Sequence, residues 1–183
     1  MDGLEVTGVT IFRLDEGMDS GPVLAQVPVT IDVEDDTPSL LKKTCAAGCE
    51  KLLEYLLEIP SEDWVFVPQS EAGISTAPKI DKSEGKIDWD AGSLELYNRI
   101  RALADAPGTF CSHAGKRLRI HKAAPVSVSG VPGELVAISD GFPVIACGEG
   151  SLKLLRVQPE GKNVRGADEW LRGSRMKLGD RLE

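Results

Sequence analysis

From residue 108 to residue 160 the chain meets a turn signal about every ten residues, the spacing of short strands. "HAGKR" stands at 113–117, "SGVPG" at 129–133, "SDGF" at 139–142 and "GEG" at 148–150. Gly, Pro, Asp and Ser supply the backbone conformations that break regular structure. Between these signals lie "GTFCSHA", "KRLRIHKAAPVSV", "GELVAIS", "FPVIACG" and "SLKLLRVQPE". Short segments at this spacing predict a small β-barrel or sandwich. "GSLELYNRIRALAD", residues 92–105, is a predicted helix before the strands, and "GADEWLRGS" a short one after them.

Upstream the pattern changes. "VTGVTIFRL" (6–14) and "PVLAQVPVTI" (22–31) read as strands rich in β-branched residues. The short acidic loop between them holds Asp15, Glu16 and Asp19 and implies an antiparallel pair. "DVEDDTPSLLKKTCAAGCEKLLEYLLEIP" then reads as one helix, with Thr37 as N-cap, Pro38 at the first helical position and Pro60 as the stop. Leu40, Leu41, Thr44, Cys45, Gly48, Leu52, Leu53, Leu56 and Leu57 are expected to form its packed face. Cys45 and Cys49 are expected to make a small-residue contact against a sheet. Residues 61–82 hold two prolines and mixed polar residues, as a linker would. The expected organisation is therefore residues 1–62, a linker at 63–82, and a second domain at 83–183. Two strands and one helix bury too little for independent stability. The first segment is expected to be covered by another element or to be a piece of something longer. Alone, the chain is expected to self-associate through that uncovered segment or to expose it.

Composition narrows the function classes. Hydrophobic residues make up 42% of the chain, enough for a packed core. No apolar run approaches the length needed to span a bilayer, and "MDGLEVTGVT" lacks the regions of a signal peptide. Cys45, Cys49, Cys111 and Cys147 form no CxxC pair, and the only histidines are His113 and His121. No metal site is expected, and reduced thiols in a cytoplasmic protein are. The net charge of −8 is unevenly spread. Residues 1–82 carry 6 basic and 16 acidic side chains, and residues 83–183 carry 15 and 13. Such asymmetry points to two domains with different partners.

"TGVTIFRLDEGMDSGPVL" (7–24) resembles the strand–loop–strand that closes the folate site of 10-formyltetrahydrofolate-dependent formyltransferases. "APKIDKSEGKIDW" (77–89) resembles the stretch joining the two domains of the methionyl-tRNA formyltransferase family, and "GKRLRIHKA", "GSLKLLRVQPEGK" and "LRGSRMKLGDRL" resemble its C-terminal barrel and tail. The resemblance implies an α+β chain: the tail of an α/β nucleotide-fold formyltransferase domain, then an oligonucleotide-binding-like (OB-like) β-barrel. Two departures stand out. The family's "NxHxSLLP" motif, with most of its N-terminal sheet, has no counterpart here. Where the family commonly has "NPWPGA", this sequence has "ADAPGTF".

The resemblance further implies formyl transfer from the co-substrate 10-formyltetrahydrofolate to the amine of initiator methionyl-tRNA, the step that precedes translation initiation. Asp19, the second Asp of "DxxxDxG", matches the family's catalytic carboxylate. Asp15, Glu16, Gly17 and Met18 would wall the pterin pocket, mostly through backbone groups. Asp and Gly also serve any plain tight turn. On the strand "GKRLRIHK", Leu118 and Ile120 should face the core and Arg117 and Arg119 solvent, so that Lys116, Arg117 and Arg119, extended by Lys162 and Arg165, could follow a tRNA backbone. The same residues fit an ordinary solvated face. Other folate-dependent formyltransferases or hydrolases with a similar second domain, and a non-enzymatic RNA-binding fragment, are the competing readings. Without the Asn and His of the missing motif, the chain by itself is expected to be inactive.

Overall fold

A computed structural model describes residues 1–70 and 72–183; residue 71, within the expected linker, lies outside the described residues. The chain divides into two compact units, Leu4–Lys79 and Ile80–Glu183, the latter joined by Met1–Gly3.

In the first unit, β1 (Val6–Phe12) pairs antiparallel with β2 (Val23–Thr30), from Val6 opposite Thr30 to Phe12 opposite Val23. α1 (Thr37–Glu58) follows. Its N-cap is Asp36, not Thr37: the Asp36 carboxylate accepts from the Ser39 backbone N–H, and the Ser39 hydroxyl accepts from the Asp36 N–H. A carboxylate one residue earlier completes a reciprocal box that the Thr37 hydroxyl would leave half made. Beside it Asp35 is buried, bonded to Lys43, Ser39 and the Asp32 backbone, and these bonds to its ionised form, led by that from Lys43, hold its pKa down at about 2.

α1 turns a different face to the hairpin from the one its leucines suggest. Leu40, Thr44, Ala47, Gly48, Lys51 and Tyr55 are half-buried, with Gly48 against Val9 and the Tyr55 hydroxyl on the Leu24 carbonyl. Leu41, Leu52, Leu53, Leu56 and Leu57 are exposed, as are Cys45 and Cys49, so the expected contact of the two thiols with a sheet is not made. Two adjacent stripes fit the same 3.6-residue period, and a narrow hairpin can cover only one. Residues 64–67 then return across the unit. Trp64 stands edge-on to Tyr55, and Val67 exchanges both backbone hydrogen bonds with Val23 at the edge of β2.

The second unit opens with α2 (Ser93–Ala102). Its strands are β3 (Thr109–His113), β4 (Lys116–Val126), β5 (Leu135–Ser139), β6 (Phe142–Ala146), β7 (Ser151–Pro159) and β8 (Arg165–Gly166); α3 (Ala167–Ser174) follows. The sheet runs β3-β4-β7-β6-β5, with β8 beside β7. All pairings are antiparallel, and among the described residues none joins β3 to β5. Ala114–Gly115 and Asp140–Gly141 all take positive φ and form the two tightest hairpin connections. Positive φ at both central residues matches the twist of paired strands; Gly115, Asp140 and Gly141 tolerate it, and at Ala114 the two-residue connection imposes it. Leu96 and Ile100 of α2 pack with Leu118, Ile120, Leu135, Ile145, Leu152, Leu154, Val157 and Trp170 in one core. Bulges on either side of Lys122 shift the register, so that Ala123 rather than Lys122 continues the buried side after Leu118 and Ile120.

Candidate functional site

The acidic loop of the first unit is built from its own side chains. The Arg13 N–H donates to the Pro22 carbonyl at 3.0 Å and closes its base. Asp15 Oδ1 accepts from the Gly17 N–H at 3.0 Å and from the Ser20 hydroxyl at 2.8 Å. Asp15 is therefore spent on shaping the turn, whereas Glu16 and Met18 stand exposed at its tip. Asp19 is exposed and takes a left-handed φ of 55°. Among the described residues no hydrogen bond or ion pair engages its carboxylate. Its backbone is held instead: Gln69 Nε2 donates to the carbonyls of Asp19 at 2.7 Å and Gly21 at 2.8 Å. Gln69 carries no sequence motif and lies in the stretch expected to be a linker.

In the second unit a hollow of about 600 Å³ opens between the start of β4, the end of β7 and α3. Lys116, Arg117, Lys162 and Arg165 line it together, with His113, Glu160, Glu169 and Trp170. Four of the five expected basic residues are thus brought to one place. Glu169 approaches Arg165 Nη1 at 3.5 Å, and Arg165 Nε is buried with no hydrogen-bond partner among the described residues. The His113 ring meets Trp170 edge-on at 5.2 Å; burial there lowers its pKa, against a smaller upward pull from Asp180.

Arg119 is placed differently. It is half-buried, and its Nη2 donates to the Pro107 carbonyl at 2.9 Å. A Cβ on Gly108 would stand 2.1 Å from the same guanidinium nitrogen, and Gly108 has φ 78°, so only glycine fits beneath this arginine. The arginine props the "ADAPGTF" turn. Arg117 lies across the Phe110 ring at 3.9 Å, a residue the charge pattern did not single out. His121 pairs with Gln158 at 3.2 Å on the same side of the sheet.

Both parts of the chain match models of formyl transferases. The model described as "Formyl transferase, C-terminal domain" matches residues 79–175, and that described as "Formyl transferase" matches residues 1–56. The chain belongs to the formyl transferase family, a family of transferase enzymes. A methionyl-tRNA formyltransferase of Myxococcus xanthus is 40% identical over 173 residues, 94% of this chain and 55% of that protein. One of Paracoccus denitrificans is 39% identical over 185 residues, 100% of this chain and 59% of that protein. The chain spans less than two thirds of the length of these curated relatives. Among solved structures, a HypX variant of Aquifex aeolicus superposes with a TM-score of 0.75 at 21% identity, over 97% of this chain and 32% of its own, which shows the shared fold.

Proposed function

We propose that the chain supplies the loop carboxylate and the tRNA-binding unit of a cytoplasmic methionyl-tRNA formyltransferase, which passes a formyl group from 10-formyltetrahydrofolate to the amine of initiator methionyl-tRNA. The observation that carries this reading is the gathering of Lys116, Arg117, Lys162 and Arg165 at one hollow of the second unit. Phosphates attract such a cluster without regard to sequence. The Arg117 guanidinium, stacked on Phe110, adds a flat cationic surface against which an unpaired base can rest. We read the bulged six-stranded sheet as the oligonucleotide-binding-like element.

The first unit contributes a proton acceptor. An amine loses a proton as it takes up a formyl group, and a carboxylate on a fixed loop can take it directly or through water. Asp19 suits that task because its side chain is exposed while its backbone is pinned. The turn around Asp15 leaves Glu16, Gly17 and Met18 exposed, and a flat pterin can lie along such backbone. The Asn and His of the family's "NxHxSLLP" motif, which would stabilise a developing oxyanion, have no counterpart among the 183 residues, and loss of one such donor costs about 10²–10³ in rate. The 183 residues alone are therefore expected to be inactive.

The test is a formylation assay on the whole enzyme, at the length of its relatives, with and without Asp19→Ala. Turnover should fall by about 10²–10⁴, the usual worth of a positioned acid–base group. Wild-type turnover in the variant refutes the assignment.

A further inference from the structure

We propose that Gln69 is a positioning residue for the Asp19 carboxylate: its carboxamide clasps the acidic loop and fixes the backbone from which that carboxylate projects. The inference rests on the reading of Asp19 given above. One nitrogen, Gln69 Nε2, gives its two hydrogens to two carbonyls, those of Asp19 and Gly21, which bracket Ser20. Asp19 has a left-handed φ of 55°, which Asp enters more readily than most residues with a Cβ but which its own side chain does not fix, so contacts to its backbone help to hold it there. Asp15 holds the loop from inside through Gly17 and Ser20, but touches neither of the carbonyls that Gln69 takes. The clasp is itself anchored. Val67, two residues before it, is paired in both directions with Val23 at 2.7 and 2.8 Å. Phe66 lies beneath the Arg13 guanidinium at 4.8 Å. Residues 66–69 thus grip the loop at its entrance and at its exit.

The chemistry at this position is selective. Both carbonyl acceptors are served by the two N–H donors of one nitrogen, which a neutral carboxamide has. A glutamate of the same shape would set a negative oxygen against both carbonyls. A leucine would fill the space and donate nothing.

The test uses the full 183-residue chain carrying Gln69→Leu or Gln69→Glu. NMR reads the Asp19 Cα shift and its HN–Hα coupling, both set by φ, and cleavage after Glu16 by a glutamate-specific protease reads loop opening. Gln69→Leu should lose the left-handed Asp19 signature and be cut about tenfold faster, the worth of two net hydrogen bonds, while the Val23 and Val67 amides stay protected. Gln69→Glu should behave likewise at pH 7 and shift toward the wild-type signature near pH 4, where a protonated carboxyl regains one donor. An unchanged Asp19 signature and cutting rate in Gln69→Leu overturns the proposal. If that variant does not fold, a Gln69→Glu signature equal to wild type at both pH values overturns it. In the whole enzyme Gln69→Leu should lower kcat and leave KM for tRNA unchanged; a rise in KM alone overturns the positioning role. Asp19→Ala with full turnover removes the catalytic reading while the loop measurements still decide the clasp.

Discussion

Lys162→Gln should flatten the salt dependence of tRNA binding by the 183-residue chain, whereas Arg119→Gln should not. The hollow collects four cations, Lys116, Arg117, Lys162 and Arg165, which sets a ceiling of four neutralised phosphates. Each contributes about 0.7 to 0.9 to the slope of log K against log salt, so with all four engaged the wild-type slope reaches about −2.8 to −3.6. Raising salt from about 50 to about 200 mM then weakens binding roughly 50- to 150-fold. Removing Lys162, which is exposed at the rim, leaves three contacts and a fall of roughly 20- to 40-fold. Arg119 donates to Pro107 and does not line the hollow, so its loss should lower the melting temperature and leave the slope alone. Fluorescence anisotropy with labelled tRNA, titrated at four salt concentrations, measures both quantities. A slope unchanged in Lys162→Gln, or flattened equally by Arg119→Gln, refutes the assignment of the hollow to phosphates.

Three further outcomes are expected. Asp35 has a pKa of about 2 in the folded chain against an ordinary carboxylate near 4, so the stability it contributes is complete above about pH 4 and is lost as pH falls toward 2. Asp35→Asn should remove that part of the acid limb in thermal melts taken across this window. Burial pushes the Cys111 thiol up to about 12 and Cys147 to about 11, so iodoacetamide should label only the exposed Cys45 and Cys49 in the native chain, as read by peptide mass spectrometry. The chain should bind a hydrophobic dye and elute above its 19.6 kDa mass, and Leu53→Lys with Leu57→Lys on the exposed side of α1 should reduce both effects.

Where a local signal sufficed, the sequence was legible. The "HAGKR" and "SDGF" signals become the two tightest hairpins because positive φ at the central residues is a local demand that Gly115, Asp140 and Gly141 meet by type, with Ala114 carried into it by Gly115. Leu118 and Ile120 are buried as strand alternation requires, until a bulge at Lys122, which no residue type announces, resets the pattern. The stretch expected to be a linker contains the residues that complete the first unit. Trp64, Val67 and Gln69 act on partners 9 to 50 residues away, and no periodicity in a short, proline-bearing stretch encodes such contacts.

Charge alone could not separate the arginines on β4, and that separation decides what each can do. Arg117 and Arg119 stand two apart on one side of a strand, so alternation makes them equivalent. Their neighbours do not. Phe110 lies under Arg117 and leaves its outer face open, while the Pro107 carbonyl and the bare Cα of Gly108 draw Arg119 into the turn before β3. A guanidinium bonded to a backbone carbonyl must break that bond to reach a phosphate; one stacked on a ring keeps its donors free. Two identical side chains thus divide into an open, ring-stacked cation and a structural prop through their neighbours, Phe110 in one case and the Pro107–Gly108 step in the other.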